Sequence, residues 1–150
     1  MSTHWSDKLA LIVITLWVGG LWAIGYLAAP SLFMSLDDKP LAGSLAGRMF
    51  TLMSYVGMVS AAYLILHGLL GHGLRVMRTA TFWIVVLMLA LVLIGHFGVQ
   101  PIIASLKAQA WPADVMHSVF ADRFRTWHGV ASIAYLLQSL LGLWLVLRSR

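Results

Sequence analysis

Hydrophobic and polar positions divide the chain into four long apolar runs, at residues 9–29, 49–70, 81–99 and 128–147, with short polar stretches between them. Crossing a bilayer takes about 20 apolar residues at about 1.5 Å of rise each. Each run therefore reads as a transmembrane helix, and the fold class as an all-α, up-down-up-down four-helix bundle in one domain over residues 1–150. The first run exceeds the apolar core of a signal peptide, about 7–15 residues. It carries Trp17, Trp22 and Tyr26 along its length and reads as a retained helix. Pro30 is expected to end it, and Gln100-Pro101 to end the third.

The connections carry their own signals. Asp37 or Asp38 is placed to N-cap a helix with Pro40 in its first turn. Residues 41–48 read LAGSLAGR, with Ala42/Ala46 and Gly43/Gly47 as small pairs four apart, and lead into the second span. Residues 71–80 form a short basic turn. Residues 102–110 are a modest amphipathic piece, broken by Trp111-Pro112, and Pro112 is expected to open the last helix. These short amphipathic segments should form a small helical layer on one side of the membrane.

One stripe runs the length of residues 112–147. Steps of three or four pick out Asp114, His117, Ala121, Arg125, His128, Ser132, Tyr135, Ser139 and Gly142, one face of a continuous helix. Unpaired polar groups in hydrocarbon cost several kcal/mol, so such a stripe is expected to face other helices or a wet cavity. His128, Ser132, Tyr135 and Ser139 should point towards Trp22 and Tyr26 of the first helix and His96 of the third.

Composition sharpens the class. Hydrophobic residues make up 61%, charged residues 10%, and mean hydropathy is +0.89, against about 25% charged residues in soluble domains. The lipid bilayer is the first partner. The net charge of +5 is spread over loops and ends without a dense cluster, so it reads as topology and lipid-headgroup contact, with no nucleic acid partner. The chain has no Cys, which removes disulfides and thiolate chemistry. It has no Glu, no phosphate loop, no HExxH and no acidic pair within a span, so hydrolase readings are poor. Basic residues divide evenly between the two sides. The short Arg75/Arg78 turn and the acids Asp37, Asp38, Asp114 and Asp122 on the other side tilt the termini towards the cytoplasm of the inner membrane.

The candidate chemistry lies in histidines. His96, near the end of span three, and His128, near the start of span four, fall on the same non-terminal side. Gln100, His117 and Arg125 frame them, and Ser132 and Tyr135 continue the polar site. Two imidazoles on facing helices can ligate haem iron or a transition metal, or relay protons. His67 reads as a packing histidine, and His72 and His4 as solvated ends. The small-residue faces, Gly19, Ala23, Gly25 and Ala29 among them, let another helix approach, whether a second copy or another membrane protein.

Residues 15–33 (TLWVGGLWAIGYLAAPSLF), 41–50 (LAGSLAGRMF) and 123–147 (RFRTWHGVASIAYLLQSLLGLWLVL) resemble the bacterial branch of the transmembrane protein 205-like family. That resemblance covers nearly the whole chain and implies a four-helix inner-membrane protein. More distantly, the Leu-Trp-Val-Gly-Gly element is similar to span one of copper-resistance D-type proteins and membrane protoporphyrinogen oxidases, which bind copper or haem through membrane histidines. The span-one histidine of those proteins has no counterpart between Ile12 and Thr15. Two readings follow. One is a small-ligand, haem or metal binding or transfer protein with a histidine site near one membrane face. The other is a non-catalytic scaffold or regulatory partner of another membrane complex.

Overall fold

The computed structural model describes residues 3–149; Arg150 and the side chain of His4 lie outside what it describes. Among the described residues four helices are long and apolar enough to cross a membrane: α1 (Trp5–Ser35), α2 (Lys39–Arg78), α3 (Ala80–Ala110) and α4 (Ala121–Arg148). There is no strand among the described residues. This is a multi-pass, all-α membrane protein. The helices alternate in direction, and α1 and α3 each pack against both α2 and α4. The starts of α1 and α3 and the ends of α2 and α4 share one end of the bundle, the terminal end. The loop end is the other.

Neither Pro30 nor Pro101 stops its helix. Each sits in the first turn of an α-helical segment (Ala29–Ser35 and Gln100–Ala110) that follows directly on a π-helical one (Ala23–Ala28 and Ile94–Val99). A proline lacks the N–H that its helix needs and crowds the carbonyl four residues back. The wider π turn shifts the bonding, so that Ala29 N–H donates to Ile24 O and Gln100 N–H to Gly95 O. In a membrane that local adjustment is cheaper than ending the helix and exposing its carbonyls to lipid.

Pro112 does not open the last helix. Residues 111–120 are turns around a short 3-10 segment, Val115–His117, and α4 begins at Ala121. Asp114 Oδ1 accepts from Met116 N–H at 3.0 Å, and Ser118 Oγ from Phe120 N–H at 3.2 Å. These local bonds offer the backbone an alternative to the helix. The stripe's first two members, Asp114 and His117, are therefore off the helix that carries the rest. Asp38, by contrast, caps α2 through Leu41 N–H at 2.9 Å, with Pro40 in the first turn. Residues 41–48 are the first turns of α2. At its other end Gly73, at φ 58°, turns the chain out of the α-helix, a conformation only glycine takes freely.

The core is a column of α1, α2, α3 and α4 side chains centred on Trp17, Met88 and Leu145, each buried. Glycines let the helices close on it. A Cβ at Gly57 would lie 2.9 Å from Trp17 Nε1 and 3.2 Å from Val92, and one at Gly142 would lie 3.2 Å from Val18. A second, smaller cluster of Leu106, Ala110 and Val115, with Phe120, Phe124 and Trp127 against it, seals the loop end.

Gly57→Ala is expected to lower stability by about 1–3 kcal/mol through overpacking against Trp17. Gly19→Ala, with nothing within 4 Å of its Cβ, should be tolerated. Thermal unfolding of the two variants in detergent micelles checks the contrast.

Candidate functional site

The polar stripe of α4 divides in two. Tyr135 and Ser139 face α1. Tyr135 O–H donates to Leu21 O at 2.6 Å, Tyr26 O–H to Ser139 Oγ at 3.0 Å, and Trp22 Nε1 to Ser139 O at 3.4 Å. The rings of Tyr26 and Tyr135 meet edge-on at 6.2 Å, and the Tyr135 ring lies against Gly25, where a Cβ would collide with it. His128 and Ser132 are exposed instead. The expectation that these two point into the bundle is corrected, and the packing gives the reason. Beyond its π segment, α1 packs its last turns on α2, while the start of α4 meets the 100–110 segment and the Val115–His117 turn. Ser132 Oγ is satisfied by donating to His128 O on its own helix at 2.9 Å, and the His128 ring stacks on Phe124 at 5.7 Å.

The remaining nominated residues are spread over the loop end and the α2–α3 seam. His96, in the π segment of α3, meets Tyr55 of α2 edge-on at 5.0 Å and Phe97 at 4.7 Å. Its Nδ1 is buried without a hydrogen-bond partner. Gln100 stands at the end of the same π segment. Arg125 pairs with Asp122 at 3.3 Å on the surface, and His117 is exposed in its turn. Among the described residues no three His, Asp or Glu side chains converge closely enough to hold a metal ion.

The terminal end carries a cavity. A cleft of about 380 Å³ opens there among all four helices, and core residues Ile14, Val85 and Leu145 line its floor, with Leu64 and Ile65 of α2. Asp7, His67, His72, Thr79, Thr81 and Ser149 give it a polar rim. His67 Nε2 lies 3.5 Å from Asp7 Oδ1. The carboxylate is well exposed, whereas the imidazole is set into the wall with its ring stacked on Tyr63 at 6.0 Å. A second depression, of about 490 Å³, shares Asp7, His67 and His72 and runs outward over Tyr63 and Leu66. The Asp7–His67 pair thus stands on the wall between the two.

Sequence reading missed this site because Asp7 and His67 are sixty residues apart and each looks dispensable alone: an acid before a span, a histidine inside one. The available signal was positional. Antiparallel helices put the start of α1 and the end of α2 at one membrane face, so a lone acid and a lone histidine near those ends were candidates to meet. The 3-10 turn Gly73–Arg78 then forms one wall, its Val76 pressed towards Gly68, where a Cβ would lie 3.0 Å away.

A family model described as Domain of unknown function (DUF4149) matches residues 12–112, and the chain belongs to that family. The match takes in both π segments and the α2 and α3 walls of the cleft, with His67 and His72. Asp7 and α4 lie outside it. Among curated proteins and solved structures, nothing matches the chain.

Tyr135→Phe removes the O–H that donates to Leu21 O and keeps the ring. It is expected to cost about 1 kcal/mol, the order of one intramolecular hydrogen bond. Its effect on the chemical-denaturation midpoint, set beside an exposed Ser132→Ala control expected to change little, is the measurement.

Proposed function

We propose that this DUF4149 member is a membrane binding protein for a small amphiphile, held in the terminal-end cleft. One observation carries the reading: the cleft joins an apolar floor, continuous with the bundle core, to a single His–Asp pair at its rim. Its size is within the usual range for small-molecule sites, about 300–1,000 Å³. An apolar chain would lie among Ile14, Leu64, Ile65, Val85 and Leu145. A polar head would remain at the membrane face, in reach of Asp7, His67 and Thr81. The site is a histidine site near one membrane face, as the sequence suggests, but at His67 and not at His96 and His128. Haem or a transition metal is less well supported, since Tyr55 and Phe97 crowd His96 and His128 stacks outward on Phe124. The likeness to the transmembrane protein 205-like family fits a bacterial inner-membrane protein of this kind.

Photoaffinity labelling with a long-chain alcohol bearing a diazirine tests the reading, on protein in phosphatidylcholine nanodiscs. Labelled residues should cluster on the cleft walls near Ala10, Leu64 and Ile65. Ala10→Phe, which projects a ring into the cleft, should abolish that cluster and leave the fold intact. Labelling spread evenly over lipid-facing positions such as Leu16 and Val59, unchanged by Ala10→Phe, would overturn it. That result would favour the scaffold reading, for which the open Cβ positions of Gly19 and Gly47 provide helix-docking room.

We also infer that the cleft faces the cytoplasm. The terminal end presents Lys8, Arg75, Arg78 and Arg148, all exposed, near the membrane surface. Arg75 and Arg78 lie in a turn short enough to count in the positive-inside rule. Reporters fused after Arg150 should be active only when the reporter is a cytoplasmic one; activity of a periplasmic reporter reverses the assignment.

A further inference from the structure

The two ends of the bundle differ in their balance of charge. At the loop end five basic residues, all exposed, meet four acids, and three of the five have a partner. Lys39 Nζ donates to Phe33 O and Leu36 O at 2.7 and 2.8 Å, closing the end of α1. Lys107 Nζ donates to Gly43 O at 3.5 Å and lies over the Phe124 ring. Arg125 is paired with Asp122. At the terminal end the one acid among the described residues, Asp7, is paired with His67. The four cations there, exposed like those of the loop end, face that one acid alone, so among the described residues the excess of positive charge is larger at the terminal end.

Each of those cations is the chain neighbour of a cleft residue: Lys8 of Asp7, Arg75 of Val76, Arg78 of Thr79 and Arg148 of Ser149. Val76 packs inward from the 3-10 turn while Arg75 and Arg78 stay outside. Lys8 lies over the Trp5 ring at 5.2 Å and Arg148 over the Trp144 ring at 5.3 Å, which sets both at the height of an interfacial aromatic belt. The apolar cleft thus opens at the end of the bundle that carries the larger excess of positive charge.

We propose that the occupant of the cleft is an anionic amphiphile, a single-chain lipid with a phosphate or carboxylate head. Its chain fills the apolar floor and its head is held by Arg75 and Arg78, with Lys8 and Arg148 adding to the field. The one carboxylate of the rim, Asp7, lies 3.5 Å from His67 Nε2. This inference rests on the amphiphile reading and narrows it by charge.

Displacement of the same photoaffinity label by chain-matched competitors is the experiment, using dodecyl phosphate, dodecyltrimethylammonium and dodecanol. Dodecyl phosphate should compete best. Arg75→Gln/Arg78→Gln, a double change at exposed positions, should weaken it by on the order of tenfold or more while leaving dodecanol competition and the melting temperature unchanged. Raised salt should weaken it as well. Equal competition by all three, insensitive to the double change, overturns the anionic assignment and leaves the amphiphile cleft standing. Displacement by inorganic phosphate alone would point to a free-anion site and overturn the requirement for a chain. A label that never maps to the cleft removes both readings.

Discussion

Everything in this fold answers to one constraint: in hydrocarbon there is no water to bond a backbone N–H or C=O, so the protein must satisfy its own. Helices that would stop at a proline in water instead run on through it. Both α1 and α3 do so by the same device, a π turn placed just before Pro30 or Pro101. The hydroxyls obey the same rule. Thr15, Ser31, Thr51, Ser54, Ser132 and Ser139 each donate to the carbonyl four residues back on their own helix. A side chain that bonds to its own helix makes no demand on the packing, and this is why Ser132 can sit at the surface.

With the backbone satisfied within each helix, association rests on close contact between helices. Lipid tails are as apolar as leucine, so the helices gain little by hiding leucines from them. What they gain is van der Waals contact where glycine allows it: Trp17 on Gly57, Met53 on Gly20, Tyr135 on Gly25, Val18 on Gly142. The residues left facing outward are large and apolar, Leu16, Leu66, Val59 and Ile133 among them. Among the described residues three buried polar atoms, on Trp17, His96 and Gln138, have no hydrogen-bond partner. They are the places where tight packing won over polar satisfaction.

The two ends of the bundle close differently, and that difference positions the site. At the loop end the 100–110 segment, the Val115–His117 turn and the start of α4 fold over the bundle and bury Leu106, Ala110 and Val115. At the terminal end the only comparable element among the described residues is the 3-10 turn after His72. It covers one edge and leaves core side chains Ile14, Val85 and Leu145 at the floor of an open cleft.

The apolar runs alone determined the four helices and the membrane setting, because each is a local property of twenty or so consecutive residues, and the polar connection narrowed the cap of α2 to Asp37 or Asp38, of which the structure uses Asp38. Spacing on α4 also identified Tyr135 and Ser139 as facing α1. What it could not do was end the helices correctly at Pro30, Pro101 and Pro112. Those outcomes turned on whether a π turn or a local Asx or Ser bond was the cheaper repair. A periodic stripe tells which side chains share a face, but whether that face is covered depends on where the neighbouring helix leans. α1 leans away from His128 and onto the start of α2, and the Asp7–His67 pair exists only because two antiparallel helices bring together residues sixty positions apart. Contacts of that kind are set by the packing of whole helices, which only the tertiary structure decides.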